Sequence, residues 1–151
     1  YDLNATDEQR KNSDLIVDLF LPGDYTIQEI SKFRYDIESD IRHELEHSGQ
    51  STIDLMATQN IIQKEEDIWA SLDNAYAYYA SKIEVPAHIS GWVLKSKRTR
   101  KSLHDIIYQE LYRIYATGLD EGYSESDMEI FMKKLSNIYF SYAQSRWPQI
   151  G

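Results

Sequence analysis

Helix-start signals are the feature that most constrains this chain. A Ser or Thr followed three residues later by an acidic residue is typical of a first helical turn, because the two side chains satisfy free backbone N–H groups. Three such motifs each precede apolar residues spaced three and four apart, and Pro86 fits the first turn of a further helix. The predicted helices span about 27–48, 61–82, 84–97, 102–118 and 124–147, and the capping pairs are Thr26/Glu29, Ser102/Asp105 and Ser124/Asp127.

One segment near the beginning has the composition of a strand. Residues 14–21 are rich in β-branched and aromatic side chains, and a Pro-Gly pair directly after them indicates a turn. Together with the helices, this segment predicts an α+β fold that is mainly α, with a small N-terminal β element, in a single domain over residues 1–151. The chain begins at Tyr1 without Met, which leaves room for an upstream segment.

Charge and composition exclude several classes of function. The 25 acidic and 16 basic side chains give a net charge of −9, which repels polyanions, so we expect no nucleic-acid partner. The absence of Cys excludes disulfides, thiolate metal sites and cysteine nucleophiles, and leaves His and carboxylates as the strong metal ligands. No apolar run approaches the roughly 18 residues of a membrane span, and no signal segment is visible. We therefore expect a cytoplasmic protein without a membrane partner, and leave its oligomeric state open.

The first long predicted helix contains a motif that can bind a metal ion. The run from His43 to His47 reads H-E-x-x-H. Two His four residues apart lie about 40° apart around a helix, so both rings project from one face and can bind one ion. Apolar residues recur beside this face and predict a buried stripe: Ile30, Phe33, Ile37, Ile41 and Leu45. The alternative is a pair of solvated histidines that interact favourably with the helix dipole near its C-terminus.

A catalytic zinc site needs a third protein ligand and an open position for water. Glu84, which begins a later predicted helix, is the preferred third ligand. His88, one turn further on, is an alternative third ligand or a group that orients another ligand, and a carboxylate in the loop after His47 is a further alternative. Without a metal, Glu84 would be an ordinary acidic residue at a helix N-terminus.

An H-E-x-x-H helix followed by a second helix that carries a Glu resembles the gluzincin branch of zincin metallopeptidases. The run from Tyr78 to His88 also resembles a segment of small, uncharacterised HExxH proteins of bacteria and phages. Together these resemblances cover about residues 14–100. The chain departs from the larger gluzincins because His88 replaces an acidic residue one turn after the third ligand, and because one strand replaces their sheet.

The resemblance implies a zincin-like fold and a zinc-dependent metallopeptidase that hydrolyses peptide bonds of a peptide or protein substrate. It implies that His43, His47 and Glu84 bind Zn²⁺ and that Glu44 is the general base. An additional donor to the oxyanion would come from one of five side chains, and the edge of segment 14–21 would bind extended substrate. The candidate donors are Tyr76, Tyr78, Tyr79, His88 and His104.

Two other functions are open at the level of sequence. The first is a helical binding or regulatory module that binds zinc without catalysis. The second is a ribonuclease of the helical HEPN type, since Arg98 and His104 fit its R-x5-H spacing. The basic run that contains Arg98 is otherwise expected to be a solvated helix end; its members are Lys95, Lys97, Arg98, Arg100 and Lys101.

Overall fold

The computed structural model describes residues 26–50 and 68–148, together with Glu8. In these ranges we number the helices α1 to α6, and a 3-10 turn, Ile68–Ala70, precedes α3. The helices are α1 Ile27–Lys32, α2 Arg34–Ser48, α3 Leu72–Tyr79, α4 Glu84–Thr99, α5 Leu103–Asp120 and α6 Glu125–Arg146. Among the helices described, none combines the length and the apolar character that crossing a membrane requires.

The predicted α+β class is wrong. The described ranges contain helices and their connections and no strand, so this part of the protein is all-α. The segment predicted as a strand, 14–21, lies outside the described residues, as does the predicted loop over most of 49–60. The α+β class depended on that single short segment, whereas several longer stretches carried the helical spacing of apolar residues.

The predicted starts of the later helices are confirmed. The Ser102 hydroxyl accepts a hydrogen bond from the Asp105 backbone N–H at 3.0 Å, and Ser124 accepts one from Asp127 at 3.1 Å. The helix at Pro86 begins at Glu84, as the position of the proline in a first turn indicates. Caps and proline act within a few residues of the chain, which explains why these boundaries follow from the sequence.

Two predicted helices are interrupted. The helix predicted over 27–48 is divided at Phe33. The Phe33 N–H donates to the carbonyl oxygen of Ile30, three residues earlier, which is a tighter turn than that of an α-helix. The described part of the helix predicted over 61–82 is a 3-10 turn followed by α3, whose N-cap is Ser71. The Ser71 hydroxyl accepts from the Asn74 N–H at 3.0 Å, so an additional cap begins a new helix here.

The core lies among the last four helices. Its largest fully buried side chains come from α4, α5 and α6 and are mostly aliphatic, as helix packing requires; they are Ile89, Ile106, Ile107, Met128, Leu135 and Tyr139. Helix α2 lies outside this core and packs mainly against α4.

The contact between α2 and α4 is polar and close, in contrast to the predicted burial of the apolar stripe. Ser39 and His47 are the buried residues of α2, whereas Phe33 is 45% exposed and Leu45 is 44% exposed. Gly91 of α4 makes this approach possible, because a Cβ at that position would lie 2.5 Å from the Ser39 carbonyl oxygen. Helix α2 is therefore turned so that its histidine face, and not its apolar stripe, meets α4.

Candidate metal centre

Four side chains from two helices converge between α2 and α4. His43 and His47 project from α2, and Glu84 and His88 project from the first turns of α4. The Nε2 atoms of His43 and His47 are 2.9 Å apart. The Glu84 carboxylate lies 3.3 Å from His43 Nε2 and 3.6 Å from His47 Nε2. The predicted ligand set of two imidazoles and one carboxylate is therefore brought together across the helix contact.

These separations suit one cation. Ligand atoms at about 2.0–2.1 Å from a zinc ion lie roughly 2.9 to 4.1 Å from one another, depending on the angle between the bonds. The distance between the two Nε2 atoms falls in this interval, as do the distances from His43 Nε2 to Glu84 Oε2 and from His47 Nε2 to Glu84 Oε1, so each carboxylate oxygen lies near one imidazole. Potential ligand atoms of His43, Glu84 and His88 also lie within 4.8 Å of one another, as do those of His43, Glu44 and His47. The residues present fit a divalent metal ion.

The Glu84 carboxylate is ionised in this setting. Burial by itself would raise the pKa of Glu84, but the neighbouring imidazoles of His43 and His47 lower it to about 2. The side chain is 6% exposed, so its negative charge is largely removed from water. A buried carboxylate beside several imidazoles is the combination expected of a site for a borderline metal such as zinc.

Gln50 fixes the orientation of His47. The Gln50 amide nitrogen donates to the carbonyl oxygen of Ile83 at 2.8 Å, and its side-chain oxygen lies 2.8 Å from His47 Nδ1. Because the amide oxygen can only accept, Nδ1 must carry a proton. In the neutral ring this leaves the Nε2 lone pair directed into the cluster. The same glutamine connects the end of α2 to the residue before α4.

His88 is enclosed by aromatic rings. It stacks on Trp92 with ring centroids 5.4 Å apart, and it also contacts Tyr79 and Tyr139, each at 6.1 Å. Burial lowers the pKa of His88 to about 3, with His43 contributing in the same direction. The ring is therefore neutral, which is the form that binds metals.

Glu44 occupies the open side of the cluster. Its side chain is 47% exposed and its Oε1 atom lies 4.0 Å from His43 Nε2. A pocket of about 200 Å³ lies beside it. This volume holds several water molecules, since each occupies about 30 Å³ in the liquid. The pocket is lined by Ser39, Asp40, His43, Glu44, His88 and Trp92.

Two of the five predicted oxyanion donors, His88 and Tyr78, lie at the cluster, and Tyr79 packs against His88. The Tyr78 hydroxyl interacts with the Glu84 carboxylate, and burial followed by this negative charge raises the pKa of Tyr78. Tyr76 instead packs against Phe131. His104 lies away from the cluster, where its ring contacts Tyr108 and Phe140.

The basic run has a partly different role from the one expected. Arg98 pairs with Glu38 at 3.0 Å, and Lys97, Arg100 and Lys101 are exposed as predicted.

Lys95, however, is buried, where it pairs with Asp36 and, at 2.6 Å, with Glu110. A lysine in the last turns of α4 therefore joins α2 to α5, which the charge pattern alone does not reveal.

Sequence reasoning missed the residues that hold the candidate ligands in place. Gln50 stands in a polar run predicted as a loop, and only its position three residues after His47 pointed to it. Gly91 and Trp92 gave no signal, because their importance depends on which helix packs against α4.

The chain matches no protein-family model, and neither a curated protein nor a solved structure is found to be similar to it. The resemblance to gluzincins therefore consists of the motif and of the residues quoted for it.

Proposed function

We propose that this protein is a zinc-dependent metallopeptidase in which His43, His47 and Glu84 bind the metal and Glu44 is the general base. The observation that carries the proposal is the convergence of both motif histidines on a buried carboxylate contributed by another helix. A zinc ion bound there would lower the pKa of water and polarise a carbonyl group. A cytoplasmic location stays a prediction from composition.

Glu44 and Glu84 have different roles in the proposed mechanism. Glu44 faces the pocket, where its carboxylate can take a proton from the attacking water and deliver it to the leaving amine nitrogen. Glu84 is buried and is interacting with two imidazoles, so it is occupied as a ligand and is not placed to exchange protons with solvent. Two carboxylates with different exposure thus fit two different roles.

A substitution of Glu44 tests this division. We expect purified full-length protein to contain about one zinc ion per chain, and Glu44→Gln to retain the metal while hydrolysis of a generic protein substrate falls by about 10²–10⁴-fold. Glu46→Gln is the matched control, because Glu46 lies on the same helix and pairs with Arg42 at 2.9 Å. Unchanged turnover in the Glu44 variant would contradict its role as base.

A zinc-binding module without catalysis is the second candidate. The observation that favours it is a fourth potential donor, His88, whose Nε2 atom lies 3.8 Å from Glu84 Oε2. Four protein ligands are typical of structural zinc sites. Stoichiometric zinc together with no hydrolysis by either the wild-type protein or its variants would support this function. For the ribonuclease, nothing in the described residues adds support, since Arg98 and His104 each contact other groups.

A further inference from the structure

Two buried atoms of the cluster make no hydrogen bond of good geometry, although His43 Nε2 lies 3.3 Å from one of them, Glu84 Oε2. They are Glu84 Oε2 and His88 Nε2, and they face each other at 3.8 Å. This separation is longer than the 2.7–3.2 Å of an N–H···O hydrogen bond. Each buried polar atom without a partner costs free energy of folding. A single group that both atoms can bind would remove the cost for both.

The ring of His88 is held in position for such a group. It packs against three aromatic side chains, those of Tyr79, Trp92 and Tyr139. The Tyr139 hydroxyl donates to the Tyr79 carbonyl oxygen at 2.9 Å, which connects two of these three residues. An imidazole with a fixed orientation is a better metal ligand than a mobile one, because less conformational entropy is lost on binding.

His88 is close enough to Glu84 and His43 to share an ion with them, since potential ligand atoms of these three residues lie within 4.8 Å of one another. His43 connects the two halves, since its ring lies 4.6 Å from that of His47 and 4.4 Å from that of His88. The 3.8 Å between His88 Nε2 and Glu84 Oε2 lies inside the roughly 2.9 to 4.1 Å interval for two ligands of one zinc ion.

We propose that His88 is a fourth protein ligand, so that the metal is held by three imidazoles and one carboxylate. This inference rests on metal binding in the proposed function, and with four protein ligands the water of the proposed mechanism would have to bind as a fifth ligand. It assigns to His88 a role different from that of the acidic residue at this position in the gluzincin pattern. A site with three imidazoles should select Zn²⁺ or Co²⁺ over Mg²⁺ and Ca²⁺, which prefer oxygen ligands.

Nuclear magnetic resonance of the wild-type full chain tests the ligand count directly. The protein is labelled with ¹⁵N in its histidine rings and loaded with ¹¹³Cd²⁺, and one-bond coupling between the metal and a ring nitrogen identifies each bound histidine. Of the four histidines, we expect three to show coupling and His104 to show none. Coupling to His43 and His47 alone would overturn the proposal.

A variant provides a second readout. His88→Ala should weaken Co²⁺ binding at least about tenfold and change the visible absorption spectrum of the bound Co²⁺, because one ligand is lost. His104→Ala, which removes an exposed histidine away from the cluster, is the control and should change neither. Circular dichroism establishes that both variants fold. Identical affinity and spectrum in a folded His88 variant would overturn the proposal.

These results are independent of the test of Glu44. Three coupled histidines with no effect of Glu44→Gln on hydrolysis would support His88 as a ligand and contradict the proposed peptidase mechanism. Coupling to only two histidines, together with loss of hydrolysis in Glu44→Gln, would contradict His88 as a ligand and support the proposed peptidase mechanism.

Discussion

At the scale of single residues, the candidate metal centre depends on side chains that orient other side chains. His47 can direct its Nε2 atom into the cluster because Gln50 accepts the hydrogen bond from Nδ1. Gln50 is itself held by the carbonyl of Ile83, directly before Glu84. One amide group therefore sets the tautomer of one candidate ligand and the position of the chain at another.

Removal of that amide should weaken metal binding without removing a ligand. We expect Gln50→Leu to lower zinc affinity by about 10–100-fold, as is typical when the hydrogen-bond partner of a metal-bound histidine is lost. A competition titration with a chromophoric chelator measures the change. Gln109→Leu, at an exposed position on α5, is the control, and equal affinities in the two variants would contradict the role of Gln50.

At the scale of elements, the decisive feature is the close approach of α2 and α4. The two helices carry two candidate ligands each, so their separation determines the distances within the cluster. Gly91 has no side chain at the point where Ser39 of α2 comes nearest. A longer residue at this position must push the helices apart.

A methyl group at position 91 should disturb both stability and metal binding. The Cβ in Gly91→Ala would lie 2.5 Å from a backbone oxygen, and overpacking of this kind costs about 1–3 kcal/mol of unfolding free energy. We also expect weaker zinc binding, measured in the same titration. Gly49→Ala is the control, because its Cβ would make an ordinary contact at 3.5 Å. Wild-type affinity and stability in the Gly91 variant would show that the helices are not held this closely.

An ion-pair network joins α2, α4 and α5 and makes stability depend on pH. Burial would raise the pKa of Asp36, but Lys95 and Arg113 hold it below its usual value. A carboxyl group with a lowered pKa in the folded state stabilises the protein above its unfolded pKa, about 3.9, and loses this contribution as the pH falls through the folded value. The network should therefore stabilise the protein at neutral pH and weaken in acid.

Substitution of Asp36 makes that dependence measurable. We expect Asp36→Asn to lower the unfolding free energy at pH 7 by up to about 3 kcal/mol, since hydrogen bonds to charged groups contribute this much, and the deficit to shrink below about pH 4. Urea denaturation at a series of pH values gives the difference from wild type. Asp120→Asn, at an exposed position, should show no such trend. A deficit that is the same at pH 7 and pH 3 would exclude ionised Asp36 as its cause.

At the scale of the whole molecule, the metal would connect a peripheral helix to the core. Helix α2 contributes polar residues to its contact with α4, and its most apolar side chains are partly exposed, so apolar burial holds it less firmly than the core helices are held. A ligand that binds only the folded state stabilises that state.

Added zinc should therefore raise the melting temperature. At a free zinc concentration of 100 times the dissociation constant, the expected stabilisation is about 2.7 kcal/mol, or roughly 5–10 °C for a chain of this size. Scanning calorimetry with Zn²⁺, Mg²⁺ and a chelator measures the shift, and Mg²⁺ should give none. His47→Ala should abolish the effect of zinc, and an equal shift in this variant would place the binding elsewhere.

The helices of the second half, and the two candidate ligands that lie on one helix, could be predicted from the sequence alone. Ser102, Ser124 and Pro86 act on backbone groups within one turn, so the helices they begin could be predicted without knowledge of packing. The spacing of His43 and His47 placed both rings on one face of a helix for the same local reason.

Which face of α2 is buried, and which residues contact its histidines, depends instead on how the helices pack. The apolar stripe predicted burial of Phe33 and Leu45, but Gly91 allows α4 to approach the polar face instead. Glu84 is 37 residues beyond His47, and Gln50 reaches a carbonyl 33 residues away. Such contacts depend on how the helices pack and on which rotamers that packing permits, so residue spacing along one chain does not specify them.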